Sequence, residues 1–310
     1  MIDIYITHFV TKEIIEMNDL LVDQLFKMRD TTAAARVRVV VWADDTACVD
    51  DARRRVPTGI EIFVNDRPGR PDAQPSMRNK VVDLARASGC EAFVLLHNDV
   101  RPARGWFDLL VEDWRYAEKR WGRDSSVVSP RLIPYHLTPP HTLAGVRADT
   151  ALWKAKLPKG RGVMTTEQLE AWCGAQGKDK ARFRRGEVCC PKKSRVKYNG
   201  RDLMMFIAGP HFFDVVGGCD ETMTGINYDD TDWGIRAYQA GKRNLKSRGS
   251  LIGHVGGFTF NQETRMVPCR PRADNAQLFI AKWGRAVWDE MRAGQLWPRL
   301  QKNQRADARL

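Results

Sequence analysis

Asp229-Asp230-Thr231-Asp232-Trp233 places three carboxylates within four residues, at the start of a stretch with helical periodicity. A carboxylate in the first turn of a helix is stabilised as the anion, which keeps it ready to take a proton from an attacking hydroxyl. The segment Gly217-Gly218-Cys219-Asp220-Glu221 precedes this cluster and adds two more acids. Two apolar runs also end in ligand-type residues: Phe93-Val94-Leu95-Leu96 leads into His97-Asn98-Asp99, and Leu251-Ile252-Gly253 leads into His254. Open α/β sheets bind ligands beyond the carboxyl ends of their strands, and a strand-end carboxylate or imidazole can serve there. Asp99 and His254 suit a divalent cation that keeps positions open for substrate phosphates. In this order along one chain, the groups point to metal-assisted group transfer. Each also has a plain structural use: Asp99 as a turn cap, His254 as a core histidine, and Asp229 and Asp230 as helix caps.

The elements that must position these groups read as alternating strands and helices. Residues 2–10 form a first strand, and Ile14, Ile15, Leu20, Leu21, Leu25 and Met28 share one face of a helix over 12–29. Val37 to Trp42 is a second strand ending at Asp44-Asp45, and Ile60 to Val64 a third. Pro68 to Pro75 is a loop. Ser76 can cap the helix that follows, with Arg78-Asn79 in its first turn. A strand at 91–97, a helix from about Trp106 to Trp121 and a strand at Val127-Val128 complete the first half. This βαβ alternation argues for a mainly parallel sheet. Periodicity weakens from Arg131 to about Arg201, then Met204 to Ile207 resumes the sheet and 210–217 forms a short helix. Residues 273–293 read as one helix, and the chain after Pro298 as a frayed basic tail.

These residues resemble the GT-A glycosyltransferases, in particular the inverting family 2 and the related galactosyltransferase-type catalytic domains. The family pattern is a strand ending in Asp-x-Asp-Val, a Gly-Gly-Phe-Asp-Glu segment, a Glu-Asp-x-Asp element with Ala-Gly behind it, and a late His before a Gly-rich turn. Here it reads His97-Asn98-Asp99, Gly217 to Glu221, Asp229 to Asp232 with Ala240-Gly241, and His254 to Gly257, so the resemblance covers 2–130 and 203–260. It implies an α/β GT-A fold, Rossmann-like, with a mainly parallel mixed sheet flanked by helices. The implied catalytic domain is 1–265, divided into a nucleotide-sugar-binding half (1–130), a basic insertion (131–202) and an acceptor half (203–265). A basic helical C-terminal extension follows over 266–310.

The same resemblance implies roles residue by residue. Asp230 is the general base, with Asp229 beside it. Asp99 and His254 hold Mn²⁺ or Mg²⁺. Thr7, Phe9, Asp44, Asp45, Arg78, Asn79, His97 and Asn98 line the site of the donor nucleotide, and Asp232 and Trp233 meet the acceptor. Two departures stand out: His97 replaces the first acid of the strand-end motif, and Asp229 replaces a Glu.

Composition bounds the partners. The chain has 310 residues, 43% of them hydrophobic, and a net charge of +12. Residues 151–201 hold fourteen Lys/Arg against four acids, and 265–310 hold ten against four, so the remainder is mildly acidic. Lys180, Arg182, Arg184 and Arg185, with Trp153, Trp172 and Phe183 interleaved, suit a phosphate backbone with stacked bases, although such a run can also be a solvated surface. The expected acceptor is DNA carrying a hydroxymethylpyrimidine, as in phage DNA modification. A glycan, lipid-linked sugar or protein acceptor is the in-class alternative, and a non-catalytic nucleic-acid-binding protein the alternative of another class. Sugar nucleotidyltransferases share such a sheet but carry a Gly-rich activating loop, which Thr7 to Lys12 lacks. Seven cysteines without a Cys-x-x-Cys pair argue against a disulfide framework. Cys189-Cys190 with His136 and His141 is either half a zinc site or free thiols. With no transmembrane run and no leader pattern, the expected location is the cytoplasm, that of the host if the protein is phage-encoded.

Overall fold

A central strand that is buried on both faces fixes the architecture. β1 (Ile2–Val10) is buried along its whole length, and β4 (Ala92–His97) is buried at all six positions, the pattern of parallel strands covered on both sides. β1 lies between β2 (Ala35–Ala43) and β4, parallel to both, and β2 pairs in parallel with β3 (Glu61–Val64). This is a computed structural model describing residues 1–12, 17–28, 35–43, 45–65, 74–98, 100–102, 105–134, 182–184, 187–189, 196–198, 203–223, 228–254 and 272–307.

The sheet continues through β10 (Phe206–Ala208), β6 (Ser126–Pro134), β11 (Arg243–His254) and β5 (Val100–Pro102), in the order β3-β2-β1-β4-β10-β6-β11-β5, and β9 (Val196–Tyr198) adds to β11. β10 runs antiparallel to both its neighbours, while β6 and β11 are parallel to each other. The fold is therefore α/β with a mainly parallel, mixed sheet and flanking helices, the class implied by the sequence. Strand order reverses between β1 and β4, and ligands bind at the carboxyl edge of such a switch point.

Helices cover the faces through regular apolar spacing. α1 (Met17–Met28) buries Asn18, Leu21, Gln24, Leu25 and Met28, a single stripe. α2 (Thr46–Arg55), α3 (Gln74–Ser88) and α4 (Trp106–Trp121) follow β2, β3 and β5. α5 (Phe212–Val216) and α6 (Asp229–Gln239) bring the acidic segments to the sheet. Their anchor is an aromatic cluster: Trp233 lies 4.6 Å from Phe213 and 5.6 Å from Phe206, and Phe93 packs 5.9 Å from Phe206. Truncating a fully buried Trp of this kind to Ala costs about 3–5 kcal/mol.

Two expectations about the C-terminus are corrected. The single helix over 273–293 is two, α7 (Arg272–Trp283) and α8 (Arg285–Arg292), separated by Gly284 at φ 84°. The chain after Pro298 is not frayed but forms α9 (Leu296–Asp307). Pro298 sits in the first turn, where its missing N–H has no intrahelical partner to lose. These helices pack on α6 through Tyr228, Ile235, Tyr238, Phe279, Leu296 and Trp297. In the basic insertion β7 (Arg182–Arg184) and β8 (Glu187–Cys189) form a hairpin of their own. Cys48, Cys90 and Cys219 are free thiols, all buried. No described helix is long and apolar enough to cross a membrane.

Candidate active site at the carboxyl edge of the sheet

Some of the expected site residues lie at the ends of β1 and β4 or on the helices beside them. Thr7 and Phe9 end β1, His97 and Asn98 end β4, and Asp229 and Asp230 open α6. α3 starts at Gln74, so Ser76 lies inside it and accepts from Asn65 at 2.8 Å instead of capping it, and Arg78 and Asn79 fall in its second turn, not its first. Antiparallel pairing of β11 with β5 puts His254 opposite Val100. The backbone therefore brings position 254 next to the residue that follows Asp99. Asp99 and Asp44 lie outside the described residues, as do Lys180 and Arg185. His254, Arg182 and Arg184 are described through their backbone only.

Arg78 is the hub. Its guanidinium is buried, with Nη1 2.5 Å from Asp229 Oδ2, Nη2 donating to Gln74 Oε1 at 3.3 Å, and Nη2 3.5 Å from His97 Nε2. Its Nε is buried without a partner among the described residues. Burial alone would depress the Arg78 pKa, but the carboxylates of Asp229 and Asp230 reverse this and raise it. An arginine does not give up its proton, so in this contact the guanidinium is the donor and His97 Nε2 the acceptor. The first two acids of α6 thereby differ in their surroundings. Asp229 is buried and neutralised by Arg78, whereas Asp230 is partly exposed and its Oδ1 accepts the Thr231 amide at 2.8 Å. Tyr228, just before them, holds a left-handed φ of 77°, a conformation that costs a bulky residue about 1–3 kcal/mol and persists only when its surroundings impose it.

Asn79 fastens rather than faces a ligand. Its Nδ2 donates to Cys219 O at 3.0 Å and Glu221 Oε1 at 2.7 Å, while its Oδ1 accepts the Cys219 amide at 2.6 Å. This close approach explains Gly218, where an added Cβ would lie 2.6 Å from Asn79 Oδ1. Burial pushes the Cys219 thiol up, against the pull of Arg78, so it stays protonated.

Other assigned residues also have structural work. Asp45 caps α2, accepting the Ala47 amide at 2.8 Å and pairing with Lys12. Thr7 donates to Leu96 O at 3.2 Å, and the Phe9 ring stacks on Trp42 at 4.6 Å. The acceptor contacts expected of Asp232 and Trp233 are corrected by burial, since neither side chain reaches solvent. Trp233 fills the core and donates to Gly217 O at 2.8 Å. Asp232 Oδ2 accepts from Arg236 at 3.0 Å, and its Oδ1 accepts from Trp283 at 2.8 Å and Lys282 at 2.9 Å.

A polar relay behind the strand ends is absent from the sequence reading. Asn18 Nδ2 donates to Asp51 at 2.9 Å, Asn18 Oδ1 lies 2.8 Å from His8 Nε2, and His8 Nδ1 lies 2.8 Å from Asn98 Nδ2. The consistent arrangement protonates His8 on Nε2 and lets Nδ1 accept from Asn98. Burial holds the His8 pKa down to about 4, against the opposing bond from Asn18. The relay leaves a trace in sequence: Asn18 interrupts the apolar stripe of α1, and His8 interrupts a buried strand.

No protein-family model matches the chain, and no curated protein matches it in sequence. Among solved structures it is similar to GalNAc-T7, described in complex with UDP, GalNAc and Mn²⁺, at 12% identity and a TM-score of 0.48 over 82% of this chain. It is also similar to HddC from Yersinia pseudotuberculosis, at 12% identity and a TM-score of 0.29 over 42% of this chain. The alignments span 43% of the GalNAc-T7 chain and 58% of the HddC chain.

Proposed function

We propose that the protein is a glycosyltransferase that moves a sugar from a nucleotide-diphosphate sugar to a hydroxyl acceptor, with Asp230 as general base. The observation that carries this reading is the Arg78 hub. One buried cation neutralises Asp229 and approaches His97, so the first turn of α6 is drawn to the end of β4 with Asp230 partly exposed beside it. A base that must reach an acceptor hydroxyl belongs at such a position.

Mn²⁺ or Mg²⁺ is proposed near the place where β11 meets β5, supported by the backbone pairing of His254 with Val100, the residue that follows Asp99 in sequence. Asp99 and His254 would hold the ion, which when bound neutralises the charge that develops on the departing diphosphate. The protein's own part is to fix Asp230 in the first turn of α6, whose amide ends favour its anion, and to keep Asp229 from competing for the proton by pairing it with Arg78.

The proposed acceptor is a hydroxymethylated base in DNA, supported by the density of Lys and Arg between 151 and 201. The test is incubation with UDP- and GDP-sugars, with and without Mn²⁺, against modified and unmodified DNA, read by nucleotide release and nucleoside mass spectrometry. Metal-stimulated nucleotide release with a hexose or pentose adduct on the modified base is the expected result. Release with a glycan, lipid or protein acceptor alone moves the acceptor assignment. No release from any donor removes the function.

A further inference from the structure

We propose that the C-terminal helices α7 and α8 are a positioning device for the catalytic turn of α6, with Lys282 and Trp283 as its positioning residues. This proposal rests on the glycosyltransferase reading for its kinetic consequence but not for its geometry. Asp230 is bracketed by two residues that these helices hold. On its N-terminal side, the ring of Tyr228 sits 5.7 Å from Phe279 of α7 and 5.1 Å from Trp288 of α8. That packing keeps a bulky residue in the left-handed conformation from which α6 starts. On its C-terminal side, Asp232 is wholly buried and takes both Lys282 Nζ and Trp283 Nε1 on one oxygen. Two residues along a helix is a rotation of about 200°, so a bond to Asp232 on the far side fixes the direction in which Asp230 points.

Lys282 does a second task. Its Nζ also lies 2.6 Å from Asp220 Oδ2, joining the Gly217–Glu221 segment to α6 across residues 224–227. Thr222 completes the Asp220 carboxylate through its amide at 3.0 Å and its hydroxyl at 2.6 Å. Arg236 closes the circuit by bonding Asp232 and, at 2.7 Å, Val216 O. Two carboxylates and two cations thus balance in one cluster. Without Lys282, Asp232 would keep Arg236 and Trp283 but Asp220 would lose its cation, and the ionic link between the segment and the helix would be lost.

The test uses the full chain carrying Lys282→Met, Lys282→Arg and Trp283→Phe, with two readouts. In steady-state transfer, Lys282→Met should lower kcat at least tenfold with little change in KM for the donor, and Lys282→Arg should restore most of it. In hydrogen exchange, amides of 217–223 and 229–233 should exchange faster in Lys282→Met while those of β1 and β4 stay as in wild type. Trp283→Phe keeps an aromatic ring of smaller size and removes the N–H bonded to Asp232, so it should show the same local change in smaller measure even if Lys282→Met folds poorly. Unchanged exchange in the two segments, or uniformly faster exchange across the sheet, would overturn the device whether or not any donor is turned over. A wild-type kcat in Lys282→Met would overturn its role in transfer. Absence of turnover in the wild-type protein would instead count against the glycosyltransferase reading and leave the exchange result to decide the geometry.

Discussion

At the scale of single residues, the site is governed by which charges are paired in the interior. Arg78 and Asp229 are both buried, and removing one partner strands the other. Arg78→Met is expected to lower stability by roughly 3–5 kcal/mol, the cost of an uncompensated buried charge, whereas Arg78→Met with Asp229→Asn should recover most of it. Denaturant midpoints of the single and double variants check this, and equal midpoints would contradict it. His8 gives a pH signature. Its folded pKa, about 4, lies below its ordinary 6.5, so the unfolded chain takes the proton first. The stability that His8 contributes is complete above pH 6.5, is lost as pH falls from 6.5 toward 4, and changes no further below that. At about 1.4 kcal/mol per pKa unit the full loss is roughly 3 kcal/mol. A His8→Gln variant should lack this segment of the stability–pH curve; an unchanged curve would show that His8 is not the group responsible.

Among the elements, the central one is the junction of α3 with the Gly217–Glu221 segment. Gly218→Ala drives a Cβ into Asn79 Oδ1, and overpacking of this kind costs about 1–3 kcal/mol. In an Asn79→Ala background the same change should cost little, so a double-mutant cycle is expected to show coupling of about 1 kcal/mol or more. Additive effects would mean that the two do not meet. The parallel core of the sheet was legible because strand-type runs (2–10, 37–42, 60–64 and 91–97) alternate with helical patterns, and the helices because their apolar positions recur at helical spacing. The C-terminal helices were legible only in part, since Gly284 could be a helix residue or a break, and only packing on α6 decides. Asn79 shows the corresponding limit at the site. Its position beside Arg78 was evident, but its use as a fastener depends on a contact with Cys219, 140 residues away in sequence. Asp232 and Trp233 show the opposite error: their neighbours are functional in type, yet helical rotation turns both into the core.

For the molecule as a whole, charge is distributed so that a mildly acidic body carries basic segments. If the acceptor is DNA, binding should fall steeply with salt, because each neutralised phosphate releases counterions. Charge reversal at Lys180, Arg182, Arg184 and Arg185 should weaken binding across sequences and flatten the logarithmic salt slope by up to about 4, roughly one per contact. Donor hydrolysis should survive the same changes. Unaltered affinity would place the acceptor elsewhere. The central claim is narrower: one edge of the sheet binds the donor and presents Asp230 as the base. Asp230→Asn tests it most directly, measured both by transfer rate and by titration of the nucleotide with Mn²⁺. A base contributes about 10²–10⁴-fold to rate and little to donor affinity. The account therefore predicts a loss of turnover of at least about a hundredfold with nucleotide affinity within a few-fold of wild type. Wild-type turnover, or a loss explained wholly by weakened nucleotide binding, would contradict it.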